Sequence, residues 1–142
     1  MYFKKLYEKH RQSCKDGQMP VKVLVADDNL DVHESVNDIL LINYKDVAVD
    51  RVLEAEGFRA KLGTKHPGYN LIIIGSGLTD ASGKSVISIL CEEFPQYRTA
   101  ALILQDAAGQ VPDTPMIKKI PVLKKPFSLD EFSDYIKKIC PR

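Results

Sequence analysis

Val21-Lys22-Val23-Leu24-Val25-Ala26-Asp27-Asp28-Asn29 opens the regularly patterned part of this 142-residue chain. Its first six residues are a short run rich in β-branched apolar side chains, as a strand buried on both faces requires. Two adjacent carboxylates end the run. Neighbouring carboxylates repel each other unless a cation or an ammonium group lies close by.

The same alternation of strand and helix repeats downstream. Val32, Val36, Ile39, Leu40 and Leu41 form an apolar stripe on a helix that Asp31 can cap. Residues 47–53 predict a second strand, and residues 54–65 a helix closed by Gly63 and His66-Pro67-Gly68. Leu71-Ile72-Ile73-Ile74 is the strongest strand signal, followed by a loop over residues 75–83. Residues 84–94 predict a helix that buries Val86, Ile87, Ile89, Leu90 and Cys91 and ends at Pro95. Residues 100–104 predict a fourth strand, and Val122-Leu123 lies in a fifth. Residues 128–140 predict the last helix, with a Ser128–Glu131 capping box and a stripe of Phe132, Tyr135, Ile136 and Ile139.

Five short apolar strands alternating with helices predict an α/β fold, a doubly wound parallel sheet with helices on both faces. The fourth helix departs from the pattern. Pro112 and Pro115 fall where it would run, and proline inside a helix costs about 3 kcal/mol or more. At most a turn or two is expected, near residues 115–119. Residues 1–20 differ from the rest: Tyr2, Phe3, Leu6 and Tyr7 recur at helical spacing among Lys4, Lys5, Glu8 and Lys9, and Gly17 and Pro20 break the pattern. They read as an N-terminal extension, helical or frayed, that either docks a partner or folds back on the domain of residues 21–142.

Composition narrows the function classes. Lys and Arg number 20 against 19 Asp and Glu, for a net charge of +1. Nucleic-acid binders concentrate basic charge, so no nucleic-acid partner is expected. No apolar run approaches the ~20 residues of a membrane span, and the N-terminus lacks the apolar core of a secretory signal. Cys14, Cys91 and Cys140 are odd in number and far apart, without metal-ligand spacing. A cytoplasmic location with reduced thiols is expected.

In doubly wound sheets the site lies at the carboxyl ends of the strands. There the chain places Asp27-Asp28-Asn29, Gly75, Gln105-Asp106 and Lys124-Lys125-Pro126-Phe127. The acidic pair, the approach Tyr69-Asn70-Leu71-Ile72-Ile73-Ile74, and Lys125-Pro126-Phe127 followed by Ser128-Leu129-Asp130-Glu131-Phe132 together resemble the receiver domain of two-component response regulators. The resemblance spans residues 21–140. It implies the flavodoxin-like, CheY-like (βα)5 fold and a role in phosphorelay signal transduction.

In that family the acidic pair holds Mg²⁺, an aspartate after the third strand accepts the phosphoryl group, and a lysine after the fifth contacts the phosphate. A hydroxyl residue after the fourth strand and an aromatic three residues before the lysine relay the change. Asp27, Asp28 and Lys125 match their roles. Gly75 falls at the acceptor, Gln105 at the hydroxyl and Val122 at the aromatic. Glycine has no carboxylate to attack a phosphodonor or complete a metal site. Gln105 lacks a hydroxyl, and Val122 has no ring to swing. Acceptor, sensor and lever are lost together.

The expectation is therefore a pseudo-receiver: not an enzyme, without a catalytic residue or cofactor, and at most a weak Mg²⁺ site at Asp27 and Asp28. The favoured reading is instead that Asp27 or Asp28 pairs with Lys125 as a structural ion pair. The expected action is phosphorylation-independent binding to a signalling protein such as a histidine kinase, through residues 106–140 or the extension. A homodimer stays open, and no effector is expected within these residues. The rival readings are phosphate acceptance by another residue such as Asp80, and a flavodoxin-like ligand binder. Ser76 and Ser82 have no evident base, and Gly77 and Gly83 supply turns. His10, His33 and His66 read as surface or partly buried side chains.

Overall fold

The computed structural model describes residues 20–64, 68–106, 111–112 and 114–141. The extension over residues 1–19, with His10 and Cys14, lies outside the described residues, as does His66.

Five strands form one parallel sheet: β1 (Val21–Ala26), β2 (Val47–Val52), β3 (Leu71–Gly75), β4 (Ala101–Gln105) and β5 (Val122–Lys124). Their order is β2-β1-β3-β4-β5, every neighbouring pair parallel. The helices between them are α1 (Leu30–Asn43), α2 (Ala55–Leu62), α3 (Val86–Glu93), α4 (Pro115–Lys118) and α5 (Leu129–Ile139). The CheY-like (βα)5 architecture is the one expected.

Successive strand side chains point to opposite faces, so each central strand feeds two cores. Val23, Val25, Leu71, Ile73, Leu102 and Leu104 pack with α1 and α5 through Val36, Leu40, Phe132 and Ile136. Leu24, Ile72, Ile74 and Ile103 pack on the other face with α2 and α3 through Phe58, Leu62, Ile87 and Leu90. All five residues of β3 are buried, which is why its sequence shows no polar alternation. Burying an aliphatic side chain of this size contributes about 1.5–3 kcal/mol.

Several boundaries shift. Asn29, not Asp31, caps α1, its side-chain oxygen accepting from the Asp31 amide at 2.9 Å. Asn29 is in extended backbone, so its side chain can reach the free amides of the first turn. Leu41 points outward and is 60% exposed, because the stripe turns with the 3.6-residue period and leaves it beyond the buried arc. α2 stops at Leu62, three residues short, with the Gly63 amide closing the last turn on the Arg59 carbonyl. α3 begins at Val86, two residues late, capped by the Ser85 hydroxyl at 3.1 Å. Past Pro95 a 3-10 helix, Pro95–Ala100, carries the chain to β4. α4 is a single turn with Pro115 in its first turn and Thr114 as cap, as the two prolines imply. The Ser128–Glu131 capping box of α5 is present in both directions. No helix among the described residues is long and apolar enough to cross a membrane.

Candidate functional site at the carboxyl edge of the sheet

The strand order reverses direction between β1 and β3, and a crevice at the carboxyl ends of the strands is the place where such sheets bind. Asp27 follows β1 there, Gly75 ends β3, Gln105 ends β4 with Asp106 next, and Lys125 follows β5.

The acidic pair is split. Asp28 is exposed, whereas Asp27 is 1% exposed. A buried carboxylate needs partners for both oxygens. Oδ1 of Asp27 accepts from the Asn29 amide at 2.9 Å, and Oδ2 accepts from Lys125 Nζ at 2.8 Å. Lys125 Nζ also donates to Asp106 Oδ1 at 2.6 Å. One ammonium therefore bridges two carboxylates. Burial pulls the Lys125 amine down, but its hydrogen bonds to Asp106 and Asp27 outweigh that, and its pKa stands above the ordinary lysine value. The charged form is the one the site holds.

Asp106 is anchored as well. Its Oδ2 accepts from the Gly77 amide at 3.1 Å, and its own amide donates to the Ser76 hydroxyl at 2.9 Å. Ser76 is 4% exposed. A Cβ on Gly77 would stand 2.8 Å from Asp106 Oδ2, so a side chain there would push the Asp106 carboxylate aside. Ser76, Gly77 and Asp106 thus support Lys125, a part not assigned to them above. Their adjacency to two strand ends was visible in the sequence; the hydrogen bonds between them were not. The Lys125–Pro126 peptide is cis, and the Lys125 amide donates to the Gln105 carbonyl at 3.0 Å.

Gly75 sits beneath this bridge. A Cβ built on it would stand 2.7 Å from Asp27 Cγ and would collide with Oδ2. The Asp27 carboxylate fills the space that a side chain at residue 75 would enter.

His33 corrects the expectation of a surface or partly buried side chain: it is 2% exposed. Its Nε2 lies 2.7 Å from the Asp27 carbonyl, which can only accept, so Nε2 carries the hydrogen. Nδ1 is buried without a hydrogen-bond partner. The ring packs under the β1–α1 turn and holds the backbone that presents Asp27.

Asp80 lies in the loop between β3 and α3. Its carboxylate accepts from the Ser82 amide and hydroxyl at 2.9 and 2.7 Å, the Lys84 amide at 2.9 Å and the Arg59 guanidinium at 3.1 Å. The Ser82 hydroxyl above all, with the Lys84 amide, lowers its pKa to about 2. Gly83, with φ of +88°, closes the turn by donating to the Asp80 carbonyl at 3.0 Å. Arg59 also reaches Glu93 of α3 at 2.9 Å, so Asp80 belongs to a clamp joining α2, the loop and α3.

A divalent metal does not fit the residues present. One oxygen of Asp27 faces an ammonium and the other a backbone amide, Asp28 is exposed, and Gly75 offers no side chain. Among the described residues no group of three or more His, Cys, Asp or Glu side chains is placed to hold a metal ion.

The fold is that of known receiver domains. The chain is similar to the response regulator receiver domain protein (CheY-like) of Methanospirillum hungatei JF-1, with TM-score 0.63, 15% identity, and coverage of 84% of this chain and 93% of that one. It is similar to a response regulator receiver domain protein from Clostridium thermocellum, with TM-score 0.61, 19% identity, and coverage of 86% and 95%. A sensor protein from Polaromonas sp. JS666 aligns with TM-score 0.67, 18% identity, and coverage of 86% and 96%. No family model and no curated protein matches the sequence.

Proposed function

We propose that this chain is a receiver-like signalling module that works by phosphorylation-independent protein–protein binding, most simply to a histidine kinase or another component of the same pathway, in the cytoplasm. The observation that carries this reading is the Asp27–Lys125–Asp106 bridge closed over Gly75. A receiver that switches needs an acceptor carboxylate and a lysine free to follow the phosphate. Here the acceptor position has no side chain, and the lysine is already held by two carboxylates.

The reading needs neither metal nor enzymatic chemistry of its own. Gln105 lacks the hydroxyl and Val122 the ring through which a phosphoryl group would be sensed. The partner surface we assign is the edge formed by α4, β5 and α5. There the one-turn α4 leaves Met116 39% exposed.

Amide spectra recorded with and without acetyl phosphate and Mg²⁺ test the reading. Unchanged resonances at Gly77, Asp106, Lys125 and residues 116–120 and 122–124 are expected. Shifts concentrated on those residues would reject it.

A further inference from the structure

α1 and the segment that leads from β5 into α5 enclose a groove of about 520 Å³, whose lining includes Lys125 of the carboxyl edge. Its floor is apolar, with Ile39, Ile42 and Leu129 among its lining residues, and Asp31 and Asp38 stand at its rim. Ile42 is 68% exposed and Leu129 45%. α1 carries Asp31, Glu34 and Asp38 and no lysine or arginine along its whole length. The cation that lines the groove, Lys125, is bound to Asp27 and Asp106. An exposed apolar strip with an acidic rim fits a basic amphipathic segment.

The chain contains such a segment. Residues 2–11 place Tyr2, Phe3, Leu6 and Tyr7 at helical spacing, with Lys4, Lys5, Lys9 and Arg11 against the single acid Glu8. The lengths agree. Ten residues in helical form span about 15 Å, and Asp31 to Ile42 along α1 spans about 16 Å at 1.5 Å per residue. The starting point agrees too. The Val21 amide bonds the Asp46 carbonyl at 2.9 Å, just beyond the C-terminal end of α1 where Ile42 lies. Residues 12–19 could bridge about 26 Å at 3.3 Å each.

We propose that residues 2–11 of this chain dock in the α1 groove, apolar side on Ile39, Ile42 and Leu129 and lysines toward Asp31 and Asp38. The docked segment covers this face against any other basic helix, so a partner that uses the groove must first displace it. This proposal stands independently of whether the carboxyl edge accepts phosphate.

A nitroxide on Cys14 of the full chain tests it, since Cys91 and Cys140 are 4% and 6% exposed. The expected result is loss of amide signal centred on Asp38 and Ile42, with Arg59 and Ala60 on the opposite face unaffected. Asp31→Lys with Asp38→Lys should abolish the loss, and adding Lys4→Glu with Lys5→Glu should restore it. No preferential loss at the groove, or a loss indifferent to these charge changes, would overturn the proposal. So would a loss that appears only between molecules, in a mixture of labelled unenriched and unlabelled ¹⁵N chains, which would make the occupant a second copy. Independently of the label, Leu6→Asp should shift the α1 amides; unmoved α1 amides would overturn the proposal.

Discussion

The Asp27 carboxylate occupies the space above Gly75, its Cγ 2.7 Å from where a Cβ on residue 75 would stand. The bare position at residue 75 and the inward turn of Asp27 are therefore coupled in space. In its present position Asp27 leaves no room for a side chain at 75. Gly75→Ala should destabilise the fold by about 1–3 kcal/mol through overpacking. Measured by urea denaturation in an Asp27→Ala background, the cost should shrink to about 0.5 kcal/mol or less, the two sites being in contact. Equal costs in both backgrounds would show that the sites do not compete.

Lys125 should matter more than either of its visible partners suggests. Lys125→Met strands the buried Asp27 charge and should cost about 3 kcal/mol. Asp106, with a side chain 31% exposed, can turn to water, so Asp106→Asn should cost about 1 kcal/mol or less. Denaturant midpoints of the two variants decide the order. The reverse ranking would contradict the view that Asp27 is the partner for which the ion pair exists.

Ser76→Ala removes the acceptor of the Asp106 amide. A loss of about 1 kcal/mol is expected, with a large shift of the Asp106 amide resonance and little change at Asp80. An unmoved Asp106 amide would show that Ser76 does not position it.

The Asp80 clamp predicts an acid-sensitive α2–α3 face. Its folded pKa of about 2 lies below the ordinary value of about 3.9. The stabilisation is therefore complete above about pH 4 and is lost as pH falls toward 2. Asp80→Asn should flatten the stability profile across that window and leave neutral-pH spectra of α1 and α5 unchanged. A profile as steep as the parent's would place the acid sensitivity elsewhere.

The fold was legible because parallel strands buried on both faces need no alternation: residues 71–74 can be little other than a central strand, with two further runs before it and two after it at α/β spacing. Asp27, Gly75 and Lys125 were legible because topology alone brings the ends of β1, β3 and β5 together. Which carboxylate turns inward was not, since Asp27 and Asp28 are chemically identical and only the strand's facing separates them. The roles of Ser76, Gly77 and Asp106 depend on hydrogen bonds between two loops far apart in sequence. His33 was misjudged because a single histidine on a helix carries no sign of the carbonyl it will meet. The cap of α1 at Asn29 rather than Asp31, and the outward Leu41, turn on shifts of a residue or two that periodicity alone does not resolve.

The most direct test of the central claim is the intact mass of the full chain after incubation with acetyl phosphate and Mg²⁺. An unchanged mass is predicted, because Gly75 has no side chain and Asp27, Asp80 and Asp106 are each held by hydrogen-bond donors. Gain of one phosphoryl group, lost in Asp80→Asn or Asp106→Asn, would contradict the account and name the carboxylate to which the chemistry has moved.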